Sequence, residues 1–405
     1  MSGGGGEPPF IARAIGSQLR DIDGNNYIDC TCARGSMILG HLHPRVTAAL
    51  QEAITDGSLF SAPTERETQF AEMIIEAFPA IELVRLVDSG TEAITSAVRL
   101  ARGHTGRDII VRFAGGYHGD VDALMVASGT SPVLAGMPAC PGVSYGATNG
   151  TLLLRYNDLA ALDSAFSQHG DLIAGVIVEP IATNMGMVPA TADFLGALRH
   201  QTEQHDSLLI FDEVTTGFRL RYGSSQQAAD IEPDITVLGK IIGGGLPVGA
   251  FGGRRNIMHR LIPAGPVLQG SNLAGNTLTT AAGIATLHEL RDHPPYDTLE
   301  RLGQRLEDGL RDQLTNAGIS HYLSRRGSML TLYFTDQHVA NFDTAKNCDA
   351  AKFTRFFWAM MDRGIYWPSN QLETAFLSSA HDEAGIDRIL AATSDALKFM
   401  AGFVH

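Results

Sequence analysis

Asp212 closes the apolar run LLIFD (208–212), and Lys240 closes a second run, DITVLGK (234–240), directly ahead of the glycine-rich IIGGGLPVGAFGG (241–253). A strand ending in aspartate presents a carboxylate at its C-terminal tip. A lysine lodged between ITVLG and IIGGG stands in apolar, glycine-lined surroundings, unlike a solvated surface lysine. An amine and a carboxylate so placed suit carbonyl condensation on the amine, with the acid holding a proton on a heterocyclic nitrogen. Pyridoxal 5′-phosphate (PLP) needs both groups. The lysine forms a Schiff base with the cofactor, and the carboxylate raises the pyridinium pKa so that the ring acts as an electron sink. Alone, Asp212 also reads as a turn or capping aspartate; its pairing with Lys240 points to a cofactor.

Two further clusters fit the same chemistry. Asp88-Ser89-Gly90-Thr91-Glu92 falls where an apolar run (83–88) meets a helical pattern, and free N–H groups at a helix start with Ser and Thr hydroxyls make a phosphate cup. The same residues also simply cap helices. Gly115-Gly116-Tyr117-His118-Gly119 follows another strand pattern, and Tyr117 could stack on a planar ring or be a half-buried tyrosine in a glycine turn. His41 and His43 lack a third ligand nearby, and Cys30 with Cys32 lacks a second pair, so no metal site is expected.

The elements that must position these groups alternate along the chain. Residues 1–10 are glycine-rich and read as a mobile start. Two short strands around an Asp-Gly-Asn turn are expected over 11–30, then helices over 45–56 and 65–78. Strands are expected at 83–90, 108–113, 173–180, 207–214, 235–240 and 247–253, with helices at 91–103, 158–168, 191–204 and 274–291. Most of these strands are apolar on both faces, as in a mainly parallel sheet covered by helices. After Asp292 a charged amphipathic helix (297–317), strands near 328–335 and 374–379, and helices at 349–363 and 382–400 predict a smaller α+β domain. The division expected is an N-terminal segment over 1–45, a large domain over 46–291 and a small one over 292–405.

The bulk numbers narrow the function. A formal net charge of −14 leaves no basic patch for nucleic acid, so an anionic small molecule must be drawn by local Arg or Lys. Four cysteines without framework spacing indicate a reducing cytoplasm. The start MSGGGGEPPF has no signal-peptide pattern, and no run of 18 apolar residues predicts a membrane span.

Together SGTEA (89–93), GGYHG (115–119), VEP (178–180), FDEV (211–214), LGK (238–240) and IGGGLPVGAFGGRR (242–255) resemble the class III aminotransferases, in particular their glutamate-1-semialdehyde 2,1-aminomutase branch. The resemblance runs from about Gly6 to the C-terminus and includes DIDGNNYID (21–29), SMILGHLHP (36–44), YNDL (156–159), NMGMVP (184–189), AGPVLQG (264–270) and PSNQLETAFLSSAH (368–381). It implies an α/β enzyme of PLP fold type I, aspartate-aminotransferase-like, with a seven-stranded type of sheet and active sites at a homodimer interface. By that resemblance Ser89, Gly90 and Thr91 bind phosphate, Tyr117 and Val214 cover the two ring faces, and His118 lies at the cofactor. Asp212 pairs with the ring nitrogen, Glu179 lies near the ring, Asn184 near the phenolic oxygen, and Lys240 forms the Schiff base. Ser271 and Asn272 approach the phosphate from the partner, although the family usually has Thr where Asn272 stands and Pro where Thr277 stands.

Two departures bear on the substrate. Family members begin some twenty residues earlier, with a segment supplying an arginine for the substrate carboxylate; the sequence from MSGGGGEPPF lacks it. They also carry Trp where Arg34 stands in Cys32-Ala33-Arg34-Gly35-Ser36. Arg34 is therefore expected to clamp a carboxylate, its alternative being a solvated surface arginine. Glu373, in QLET, matches a glutamate thought to gate the pocket. The expected activity is an aminotransferase that passes an amino group from a small-molecule donor through pyridoxamine phosphate to a carboxylate-bearing carbonyl acceptor. Lys240, Asp212 and Tyr117 would serve catalysis, with Lys240 the general base. The alternatives are glutamate-1-semialdehyde 2,1-aminomutase and, more remotely, a non-catalytic PLP-binding protein.

Overall fold

The computed structural model describes residues 6–126, 134–135, 139–225 and 231–401; of the glycine-rich start, residues 1–5 lie outside the described residues. The chain divides into two compact units. One comprises Met1–Ala48, Thr183–Val188 and His288–His405, and the other Ala49–Ala182 and Pro189–Leu287.

The second unit is built on an eight-stranded sheet. Its spatial order is Leu83–Val87, Gly249–Gly253, Ile235–Gly239, Leu208–Asp212, Ile173–Val178, Ile109–Phe113, Thr151–Leu154 and Leu134–Ala135. Pairing is parallel from Ile235–Gly239 through Thr151–Leu154, while Gly249–Gly253 runs antiparallel to both neighbours. Two-residue Leu134–Ala135 is an antiparallel edge strand and adds an eighth member to the expected seven. Thr151–Leu154 was also not expected, because TLLL is too short to show a period.

Burial on both faces explains the apolar runs. Every residue of Ile173–Val178, Leu208–Asp212 and Ile235–Gly239 is buried. Helix Gly90–Thr105 lays Ala93, Ala97, Val98, Leu100 and Ala101 on one face, where they join Ile177, Ile210, Val237 and Phe251 in a core cluster. Each buried Val, Leu, Ile or Phe contributes about 1.5–3 kcal/mol there. The glycines of GAFGG let the edge strand approach: a Cβ on Gly249 would lie 2.0 Å from the Ser89 carbonyl oxygen.

In the first unit, Ile11–Ile15, Gln18–Asp21, Asn26–Asp29 and Ile365–Tyr366 form one sheet. The expected two strands before Cys30 are three, because the chain reverses at Gly16 (φ 57) as well as at the Asp-Gly-Asn turn. A second sheet joins Tyr322–Arg326, Met329–Tyr333 and Ala375–Phe376. Tyr322–Arg326 is strand where the charged text LSRR showed no alternation. Helix Tyr296–Asn316 buries Leu299, Leu302, Leu306, Leu310 and Leu314 along one stripe and packs against helix Glu383–Ala401. Among the described residues no helix is long and apolar enough to cross a membrane.

Candidate active site

All parallel strands of the second unit end on one edge of the sheet, where open α/β sheets bind ligands. Asp212 ends Leu208–Asp212 and is 4% exposed. Its Oδ1 accepts the Val214 N–H at 3.0 Å and its Oδ2 lies 2.7 Å from His118 Nδ1. An ionised carboxylate only accepts, so Nδ1 carries the proton and donates it. Asp212 is thus fixed from two sides and aimed by its neighbours.

Lys240 follows Ile235–Gly239, parallel to the Asp212 strand, with φ 49 in the left-handed region. Its Nζ donates to Thr215 Oγ1 at 2.5 Å. Thr215 was not singled out from sequence. It stands three residues beyond Asp212 in a Thr-Thr-Gly run that looks like ordinary turn chemistry. Val214 lies between the start of helix Gly90–Thr105 and the end of strand Ile235–Gly239: a Cβ on Gly90 or Gly239 would lie 3.2 Å from its methyl carbons.

Helix Gly90–Thr105 starts at the same edge. Ser89 is its N-cap, accepting the Glu92 N–H at 3.1 Å, while Glu92 Oε2 accepts the Asp88 N–H at 2.7 Å. The amides of Gly90 and Thr91 precede the first intrahelical bond, from Ala93 N–H to the Ser89 carbonyl at 3.0 Å, and so point outward at the positive end of the helix dipole. Ser271 Oγ reaches this start within its own chain, 2.8 Å from Asp88 Oδ2 and 3.0 Å from Glu92 Oε2; Asn272 beside it is exposed.

The GGYHG loop is pinned over that helix start. Asp120 N–H donates to Thr91 Oγ1 at 3.2 Å, and a Cβ on Gly119 (φ 73) would collide with the same hydroxyl at 2.4 Å. Glu179, following Ile173–Val178, accepts the Tyr117 N–H at 2.9 Å. Arg112, another residue that sequence reasoning missed, donates to the Gly116 carbonyl at 2.6 Å and to that of Leu124. Burial pushes its guanidinium down to about 10, against the pull of Glu179. Held this way, Tyr117 is 57% exposed and its ring is available as a stacking face.

Arg34, Asn184 and Glu373 belong to the first unit. Asn184 is exposed, and Arg34 Nη2 lies 3.7 Å from Glu373 Oε1. In the same unit His41 Nε2 meets Asp29 Oδ2 at 2.9 Å, and His43 Nε2 lies 3.9 Å from Glu289 Oε1.

The second unit's residues fit PLP by their own chemistry. A lysine amine, a buried carboxylate at a neighbouring strand tip, an exposed tyrosine ring and an anion-accepting helix start converge at one sheet edge. These features define a PLP-dependent enzyme of fold type I. Among known proteins, the Aminotransferase class-III family matches residues 3–388. The glutamate-1-semialdehyde 2,1-aminomutase of Rhodopirellula baltica is 52% identical over 394 residues, 97% of this chain and 90% of its own. That of Desulforapulum autotrophicum is 50% identical over 400 residues, 99% and 93%. Among solved structures, an omega-transaminase from Sphaerobacter thermophilus superposes with a TM-score of 0.88 at 33% identity, covering 96% of this chain and 91% of that one. A glutamate-1-semialdehyde-aminomutase from Pseudomonas aeruginosa in complex with PMP gives 0.85 at 27%, covering 96% and 88%. The chain belongs to the class III aminotransferases, and its cofactor is PLP.

Proposed function

We propose that this enzyme is a glutamate-1-semialdehyde 2,1-aminomutase, exchanging the amino and carbonyl groups of one substrate molecule to give 5-aminolevulinate. The observation that carries this reading is identity of 52% over 97% of the chain to a protein of that name. The relatives favour it over the intermolecular aminotransferase expected from Arg34, which remains the second reading on the strength of that residue.

When bound, the cofactor supplies an aldehyde that condenses with amines and a ring that withdraws electrons from the adjoining carbon. Lys240 Nζ is the amine that holds it and, once released by substrate, the base that carries a proton across the reacting carbons. Thr215 Oγ1 is placed to accept a hydrogen bond from Nζ and keep it in reach. Asp212, steadied by His118 and the Val214 amide, holds the proton on the ring nitrogen. Ser89, Gly90 and Thr91 would take the phosphate and Tyr117 and Val214 would cover the ring, with Glu179 fixing the Tyr117 backbone; Asn184 would serve the phenolic oxygen.

We further propose a homodimer with the exposed Asn272 facing the partner's phosphate, while the Ser271 hydroxyl is engaged by Asp88 and Glu92 of its own chain. A cleft of about 410 Å³ is lined by Ser271, Asn272, Leu59 and Phe60, and Leu268 and Leu273 flank it in sequence, 70% and 53% exposed. A second copy would cover this apolar surface. The unbridged Cys30, Cys32, Cys140 and Cys348 support a reducing cytoplasm.

Glutamate-1-semialdehyde supplied to the PMP-loaded enzyme with no other amine or keto acid tests the reading. Formation of 5-aminolevulinate, lost in Lys240→Ala, is the expected outcome. Turnover only when glutamate and a carbonyl acceptor are both added would establish the aminotransferase instead.

A further inference from the structure

Arg112 lies on strand Ile109–Phe113, and its guanidinium is given over to backbone carbonyls. Nη2 donates to the Gly116 carbonyl at 2.6 Å and, at 3.5 Å, to that of Phe113, while Nη1 donates to the Leu124 carbonyl. Its Nε is buried without a hydrogen-bond partner among the described residues. One strand residue thus gathers both ends of the segment GGYHGDVDAL (115–124).

Glu179 meets the same segment from another strand's end, its Oε1 accepting the Tyr117 N–H at 2.9 Å. The Gly116 carbonyl and the Tyr117 N–H belong to a single planar peptide unit. That plane is therefore gripped at its oxygen by a cation and at its hydrogen by a carboxylate, two charge-assisted hydrogen bonds of the stronger kind. A flipped peptide would turn its N–H to the guanidinium and its carbonyl to the carboxylate, donor to donor and acceptor to acceptor. The two charges also sense each other: burial pushes the Arg112 guanidinium down to about 10, and Glu179 pulls it the other way. The Cα of Tyr117 is the last atom of the same plane, so the plane's orientation decides where the ring projects.

Resting on the cofactor chemistry above, we propose that Arg112 and Glu179 are positioning residues, an opposed charge pair across the Gly116–Tyr117 peptide that aims the Tyr117 ring at the cofactor. The role is the same whether the amino group stays on one substrate molecule or passes between two.

The test is a double-mutant cycle read by the cofactor affinity of the holoenzyme, from dialysis and reconstitution, and by the circular dichroism of its visible band. Far-ultraviolet dichroism matching wild type identifies the variants that have folded. Arg112→Met should weaken cofactor binding by about 30-fold, the size of a charge-assisted hydrogen bond, and reduce the visible dichroism. Arg112→Lys should recover about tenfold of that, because an ammonium restores the charge without the fork. Glu179→Gln keeps an oxygen for the Tyr117 N–H and should weaken binding by about tenfold. The Arg112→Met/Glu179→Gln double variant should fall short of the product of the two losses by about tenfold, since neither charge is then left alone. In a Tyr117→Ala background, Arg112→Met should change affinity by less than about threefold.

An Arg112→Met enzyme that binds cofactor like wild type overturns the role of Arg112. Losses that multiply in the double variant overturn the charge pair, and an undiminished loss without Tyr117 overturns positioning through its ring. Should Arg112→Met not fold, Arg112→Lys with Glu179→Gln carries the same cycle. The aminomutase reading is judged separately, by turnover, which none of these readouts uses.

Discussion

Asp212 and Arg34 are both held to present a charge, by opposite means. Asp212 sits at the tip of a wholly buried strand, 4% exposed, its oxygens met by a backbone amide and a buried histidine. Arg34 stands on an irregular left-handed turn with its guanidinium in solvent, and the carboxylate that fixes that turn, Asp29, never touches it. Asp212 is embedded in the sheet, where an unpaired charge would be costly and its two partners hold it in place. Arg34 is left outside, where its 3.7 Å pair with Glu373 contributes little.

Asp212→Asn is the largest expected break in this contrast. The amide is nearly isosteric but uncharged, so a ring proton would lose its counter-ion, and a single amide oxygen is left to accept where the carboxylate met both the His118 N–H and the Val214 N–H. We expect kcat to fall by about 10³-fold, the scale of a lost preorganised charge, with the cofactor still bound. Steady-state turnover with the absorbance spectrum checks both. A drop under about tenfold would mean that Asp212 is a structural residue at a strand end.

The phosphate end offers a second test. Gly119→Ala adds a Cβ where φ is 73 and Thr91 Oγ1 stands 2.4 Å away, so the GGYHG loop must lift from the helix start. Cofactor affinity should fall by about 100-fold, measured by dialysis and reconstitution. Gly106→Ala, also at positive φ but with open space around it, should leave cofactor affinity unchanged. Equal effects at both positions would assign the loss to backbone strain alone.

The difference between these regions also explains what was legible beforehand. Lys240, Asp212 and the Ser89–Thr91 cup lie at ends of apolar runs whose period and flanking glycines mark them. Their helices and strands came out with edges displaced by a few residues. Thr215 and Arg112 were invisible because their roles depend on partners 25 and 4 residues away, Lys240 and the Gly116 carbonyl. The left-handed Cys32–Arg34 turn was unreadable for a related reason: residues of those types seldom adopt it, and the contacts that accompany it, among them Asp29 Oδ1 accepting the Cys32 N–H and Cys32 Sγ against the Phe376 carbonyl, lie outside the turn. Likewise, nothing in NMGMV marks Thr183–Val188 for a different compact unit from its neighbours. Tyr333 does so in space, donating to the Met185 carbonyl at 2.8 Å.

A last prediction concerns the stability of the unit that contains Asp29. His381, in the same unit as Asp29, is buried, and its Nδ1 accepts the Ser378 N–H at 3.1 Å. Burial pushes its pKa from 6.5 down to about 4, outweighing the opposing pull of Asp29 and Asp382. The unfolded chain therefore binds a proton through the window from 6.5 to 4 that the folded chain refuses. The stability associated with the neutral ring is full above pH 6.5 and declines as the pH falls towards 4, below which it changes no further. At pH 5 the loss is about 2 kcal/mol relative to pH 8. His381→Gln, which does not titrate, should flatten this part of the stability profile, whereas wild type should unfold more readily at pH 5 by that margin. Thermal unfolding of the holoenzyme at pH 5 and pH 8 measures the difference. Identical pH dependence in the two proteins would mean that His381 is not the group that makes this unit acid-sensitive, and the carboxylates around the Asp29 turn would be next in line.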